Sequence, residues 1–138
     1  MTPRIGRILE TPLYVEDTER SARFYERVLG LRRMSSGARL IPMDAGSGSV
    51  LLLFHRGVTD TGTRFKGGWI PPHDGSGRTH FAFAIESDSV DAWRTRLEAE
   101  AVEIESEVRW ERGGVSLYFR DPDGHSVELA SPGVWPTY

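Results

Sequence analysis

A chain of 138 residues, 38% apolar, 10% aromatic and 27% charged, has the size and composition of one folded domain with its own core. It lacks any run near the roughly 20 apolar residues of a membrane span, and its net charge of −3, with both signs scattered, gives no electrostatic footing for nucleic acid. Zero cysteines exclude disulfides, thiolate metal sites and thiol nucleophiles, which leaves His, Asp and Glu as the strong metal ligands and a small molecule as the expected partner. The segment Met1-Thr2-Pro3-Arg4-Ile5-Gly6-Arg7 carries basic residues with no apolar stretch behind them, so no secretory signal is read and the cytoplasm is the expected compartment.

The alternation from Arg7 to Val15 predicts a strand with an unusual glutamate, Glu10, in it. Asp17 or Thr18 then offers an N-cap, Phe24/Val28 and Tyr25/Leu29 form i,i+4 pairs, and Gly30 stands where a left-handed C-cap is wanted, which predicts a helix of about three turns. Short strands follow at Leu31 to Ser35, Ala38 to Asp44 and Ser49 to Phe54, parted by Ser36-Gly37 and Gly46-Ser47-Gly48. The stretch His55 to Gly77 holds six glycines in 23 residues together with Pro71-Pro72, and reads as a non-repetitive bridge or lid. The second half repeats the order of the first. A strand at Arg78 to Ile85 precedes a helix capped near Ser87 or Asp88 with apolar positions Val90, Trp93, Leu97 and Ala101, and strands follow at Val102 to Arg109, Gly114 to Arg120 and His125 to Ala130. Asp121-Pro122-Asp123-Gly124 predicts a tight type I turn between the last two. Glu10 to Val15 superposes on His80 to Ile85 at an offset of 70, a weak internal duplication. The expected organisation is a single α+β domain over 1–138: two βαβββ modules at about 7–54 and 78–131, the bridge at 55–77, and a tail at 132–138. The two modules are expected to form a curved, cup-like mixed sheet with helices on the outer face.

Three of these strands carry an ionisable residue on a face of small neighbours. His80, Ala82 and Ala84 alternate with Phe81, Phe83 and Ile85; Ser126, Glu128 and Ala130 alternate with Val127 and Leu129; and Glu10 lies opposite Leu9, Leu13 and Val15. With helices on the bulky faces, Glu10, His80 and Glu128 would line one concavity, where two carboxylates and one imidazole make a three-ligand set with open coordination positions. The alternatives are a satisfied interface histidine at 80, a rim carboxylate at Glu128 and an ion pair of Glu10 with Arg112 or Arg78. Trp69, Trp110 and Tyr118 are candidates for an aromatic wall, with core or dimer packing as the alternative for each. His73 is a candidate substrate contact; it and His55 otherwise fill solvent-exposed roles.

The runs Leu9-Glu-Thr-Pro-Leu-Tyr-Val-Glu-Asp through Phe24-Tyr-Glu-Arg-Val-Leu-Gly30, Thr79-His-Phe-Ala-Phe-Ala-Ile85 and Tyr118-Phe-Arg-Asp-Pro-Asp-Gly-His-Ser-Val-Glu-Leu129 resemble the vicinal oxygen chelate superfamily, which includes glyoxalase I, extradiol dioxygenases, and fosfomycin- and bleomycin-resistance proteins. The resemblance covers about residues 7 to 131. It implies two βαβββ modules around one divalent metal (Mn, Fe, Co, Ni or Zn), usually in a homodimer, with the metal positions falling on Glu10, His80 and Glu128. Glu10 and Glu128 would also move protons. A fourth, glutamate position of glyoxalase I falls on Leu52, which cannot ligate and instead becomes a candidate substrate contact. The implied function is a metal-dependent lyase, isomerase or dioxygenase acting on a small oxygen-bearing substrate, with glyoxalase I itself disfavoured. The competing reading is a metal-free sequestering protein of the bleomycin-resistance type.

Overall fold

The computed structural model describes residues 1–138. The chain divides into two compact units, Met1–Ser76 and Gly77–Tyr138. In the first, β1 (Glu10–Val15) leads into α1 (Thr18–Leu29), β2 (Arg32–Arg33), β3 (Leu40–Asp44) and β4 (Val50–His55). The sheet order is β1-β4-β3-β2, with β1 parallel to β4 and the other pairs antiparallel. Parallel pairing of the first and last strands needs a crossover, and α1 with the short strands behind it supplies one. Alternation then sorts the side chains. Leu13, Val15, Ile41, Met43, Leu51 and Leu53 are buried together with Ala22, Tyr25 and Val28 of α1, while Glu10, Pro12, Tyr14, Leu52 and Phe54 fall on the opposite face of their strands.

Both ends of α1 close as the sequence predicts. The Asp17 carboxylate accepts from the Arg20 amide at 3.1 Å, and Gly30, at φ 70°, donates its amide to the Glu26 carbonyl at 3.0 Å. The first strand is shorter than the alternation suggests. Its β4 partner begins only at Val50, beyond the turn at Gly46–Gly48, so Arg7 and Ile8 lie outside the ladder, Leu9 joins it only by its carbonyl, which accepts from the Val50 amide at 2.9 Å, and Ile8 and Leu9 are exposed.

The second unit repeats the connectivity. β7 (His80–Ala84) is followed by a 3₁₀ turn at Ser87–Ser89, α2 (Val90–Ala99), β8 (Ser106–Arg109), β9 (Val115–Arg120) and β10 (Ser126–Ala130), in the order β7-β10-β9-β8 with β7 parallel to β10. The helix starts later than expected: the Ser89 amide and hydroxyl both donate to the Glu86 carbonyl, at 3.1 and 2.7 Å, and wind Ser87–Ser89 into the tighter turn. Ala101 lies beyond the helix at φ 57° and is exposed, and Val102 donates back to the Leu97 carbonyl at 2.8 Å, which delays β8 to Ser106. The Asp121–Gly124 turn forms, with the Gly124 amide on the Asp121 carbonyl at 3.0 Å; the buried Asp121 carboxylate also accepts from the Asp123 and His125 amides at 3.0 and 2.9 Å. The tail is tied down rather than free. The Tyr138 hydroxyl donates to the carbonyls of Ala130 and Ile85 at 2.8 and 3.1 Å, whereas Trp135 is exposed.

The bridge departs from its non-repetitive reading. It holds β5 (Thr63–Phe65) and β6 (Gly68–Ile70), an antiparallel pair that forms a small sheet of its own in the first unit. Three-residue strands held by backbone bonds leave no periodic trace among six glycines.

The capping geometry predicts that Asp17→Ala lowers unfolding free energy by about 1 kcal/mol, while Asp17→Asn, which keeps an acceptor, costs much less. Urea denaturation of the two variants distinguishes a cap from a general effect of losing charge.

Candidate functional site

In the second unit, β7 and β10 run parallel in a register that opposes Ser126 to His80 and Glu128 to Ala82, so His80 and Glu128 share a face. His80 is 53% exposed in its side chain and Glu128 only 8%, and His80 Nε2 lies 3.2 Å from Glu128 Oε1. The other ring nitrogen, Nδ1, lies 3.0 Å from the Ser126 carbonyl oxygen. A carbonyl only accepts, so Nδ1 carries a hydrogen and a neutral ring has its lone pair on Nε2. That lone pair faces a carboxylate oxygen. Two acceptors at this distance are reconciled by a proton between them or by a metal ion near both atoms.

The carboxylate is held from behind. Ser116, on β9, donates its hydroxyl to Glu128 Oε2 at 2.5 Å and accepts from Trp110 Nε1 at 2.9 Å. Tyr118, opposite Glu128 on β9, lies beside the His80 ring with centroids 6.1 Å apart and planes at 28°. Burial, followed by the Glu128 charge, pushes the Tyr118 phenol above its ordinary value, so it stays neutral. Trp110, Tyr118, His80 and Glu128 are thus gathered in one unit, with Trp110 acting through Ser116. Ser116 was not among the sequence candidates, although the alternation Ser116, Tyr118, Arg120 on β9 puts it on the face of Glu128.

The remaining candidates lie in the first unit. Glu10 and Leu52 line one cavity of about 520 Å³ with Tyr14, Phe54, Arg39 and His73. Glu10 is exposed at the start of β1 and makes no ion pair within the chain. Trp69, on β6, is outside that lining: its indole edges against Gly62, where a Cβ would meet Nε1 at 2.7 Å, and about half of it is exposed. Tyr14 and His73 are joined, the phenol oxygen lying 2.5 Å from Nδ1. Burial and the Asp74 charge raise the phenol above its ordinary value. Neither unit by itself holds three His, Asp or Glu side chains able to share a metal ion. The donor set fits a divalent metal as far as the second unit reaches: one imidazole with its tautomer fixed and one carboxylate with its free oxygen turned to it.

The family model of the Glyoxalase/Bleomycin resistance protein/Dioxygenase superfamily matches residues 4–129. The glutathione transferase FosA of Serratia marcescens is 33% identical over 120 residues, 85% of this chain and 74% of that one. The metallothiol transferase FosB of Lysinibacillus sphaericus is 28% identical over 116 residues, 83% of this chain and 74% of its own. Among solved structures, a lactoylglutathione lyase from Agrobacterium tumefaciens superposes with a TM-score of 0.86 at 33% identity, over 97% of this chain and 99% of that one. With a family model spanning nearly its whole length and a relative 33% identical over most of it, the chain belongs to the glyoxalase/bleomycin resistance protein/dioxygenase superfamily.

Proposed function

We propose that the protein is a divalent-metal-dependent enzyme acting on a small substrate through neighbouring oxygens, with His80 and Glu128 holding the ion. The observation that carries this reading is the His80 Nε2 lone pair turned to Glu128 Oε1 at 3.2 Å while Ser126 and Ser116 occupy the far atoms of both side chains. Bound there, a divalent ion supplies Lewis acidity to two adjacent substrate oxygens and stabilises the negative charge developing on them. The chain's own groups do the rest. Ser126 fixes the imidazole tautomer, Ser116 fixes the carboxylate rotamer, and the neutral Tyr118 phenol, hydrogen-bonded to Glu128, walls the site beside His80. Glu128, engaged through both oxygens, is the weaker candidate for moving a proton. Glu10, exposed and without an ion pair, is the carboxylate that takes a proton from the substrate and returns it.

The names of the relatives span thiol transfer and lactoylglutathione cleavage. Leucine at 52, on the cavity with Glu10, argues against the second for this chain, because an apolar side chain stands where glyoxalase I is expected to carry a fourth ligand. The assembly we favour is a homodimer. Strands β1, β2, β7 and β8 are outer strands of their sheets, and Ile5, Ile8 and Leu9 are exposed ahead of β1.

Titration calorimetry of chelator-treated protein is expected to give about one divalent ion per chain, none in His80→Ala, and an affinity about 10- to 100-fold lower in Ser116→Ala. Absence of binding by the wild type would leave a proton as the cation of the pair and favour the metal-free sequestering reading. Lactoylglutathione formation by the wild type is expected to be negligible; efficient turnover by the wild type overturns the role given to position 52. Light scattering at micromolar concentration is expected to report a dimer, and a monomer there counts against the assembly.

A further inference from the structure

The cavity of the first unit is polarised along its strands. Register places Glu10 opposite Val50 at one end, Pro12 opposite Leu52 in the middle, and Tyr14 opposite Phe54, itself opposite Leu40, at the other. Four residue steps along the strand separate Glu10 from Tyr14, about 13 Å at about 3.3 Å per step. Carboxylate and cation therefore sit at different ends. Arg39, which precedes Leu40, lines the cavity; its Nη2 donates to the Val58 carbonyl at 2.8 Å, and no carboxylate of the chain pairs with the guanidinium.

His73 stands at the same end and is clamped three ways. Its amide donates to the Thr59 carbonyl at 2.9 Å, the buried Thr59 hydroxyl donates to its carbonyl, and its ring meets Tyr14 at 2.5 Å. With the phenol donating to Nδ1, the imidazole proton resides on Nε2. A ring with one nitrogen saturated by a tyrosine presents the other as a fixed donor. Around it, Phe54 meets His73 edge-on, at 5.0 Å and 71°, and lies near-parallel to Tyr14 at 6.0 Å and 21°. These rings, with Leu52 and Pro12, make walls for a flat apolar group, and about 520 Å³ is ample for a ring-bearing molecule.

We propose that this cavity selects a small aromatic acid, its acidic group between Arg39 and His73 Nε2–H, its ring along Phe54 and Leu52, and its reacting oxygens toward Glu10. Only the last clause rests on the metal-dependent reading. Arg39 and His73 are specificity-determining residues here, and Tyr14 is a positioning residue that acts by fixing the His73 tautomer. A guanidinium and an N–H donor recognise a carboxylate by charge-assisted hydrogen bonds, and the aromatic walls supply the preference for a ring.

The test uses the full chain with chelator present throughout, so that failure of the metal reading leaves it intact. Phenylacetate, acetate and benzyl alcohol are titrated into ¹⁵N-labelled protein and followed by amide chemical shifts. Phenylacetate is expected to perturb the amides of Tyr14, Phe54 and His73 and to bind at least tenfold more tightly than either acetate, which lacks the ring, or benzyl alcohol, which lacks the acid. Arg39→Gln is expected to weaken phenylacetate at least tenfold and leave benzyl alcohol unchanged. Tyr14→Phe is expected to weaken phenylacetate severalfold and to move the His73 ring ¹⁵N shifts toward a mixture of tautomers, a change that mere loss of packing does not produce. The proposal is overturned if acetate binds as well as phenylacetate, if Arg39→Gln leaves phenylacetate affinity unchanged, or if phenylacetate does not bind.

Discussion

Parallel pairing of the first and last strands is the constraint on which each unit depends. Two parallel neighbours cannot be joined by a hairpin, so the chain must leave the sheet, cross it as a helix and return through antiparallel strands. The crossover commits one face of β1 and β4, and of β7 and β10, to the core. The other face keeps whatever the alternate residues bring. In the first unit these are Glu10, Pro12, Tyr14, Leu52 and Phe54; in the second, His80, Ala82, Glu128 and Ala130. Functional groups are thus mounted on backbone that the helix-facing core immobilises, the placement that holds ligand geometry best.

Charge burial sets the character of the second unit's site. Glu128 lies on β10, between β7 and β9, and a carboxylate removed from water in that position is stable only with donors or cations around it. Ser116 and Tyr118 supply neutral donors, and His80 Nε2 faces the other carboxylate oxygen at 3.2 Å. Elsewhere, the half-buried Glu19 and the exposed Glu105 and Glu107 are held below their usual range by arginines that reach them, chiefly Arg33, Arg120 and Arg94 respectively. No arginine reaches Glu128.

What the sequence discloses follows from the range over which each signal acts. Asp17, Gly30 and the Asp121–Gly124 turn are specified by bonds within a few residues, and all three form. Alternation on β7 and β10 marks His80 and Glu128 because their neighbours on that face are small. The family resemblance of these same strands extends that reading to the fold. Ser116, and the joining of the candidate His73 to Tyr14 and Phe54, escape because the partners are 12 to 59 residues apart and the residue types are ordinary for strands and loops. The 3₁₀ turn at Ser87–Ser89 escapes for another reason: Ser87, Asp88 and Ser89 are all competent caps, and only the bonds to the Glu86 carbonyl choose among them.

The repeated register has one more implication. Glu10 opens β1 as His80 opens β7, and Leu52 stands to Pro12 on β4 as Glu128 stands to Ala82 on β10. Positions 10 and 52 are thus the internal counterparts of 80 and 128. One copy of the motif retains an acid at the first place and a hydrocarbon at the second; the other has a polar group at both. The repeats thus differ most at their second place, where the first presents a hydrocarbon to its cavity and the second a buried carboxylate to a histidine, on the same strand pairing beneath.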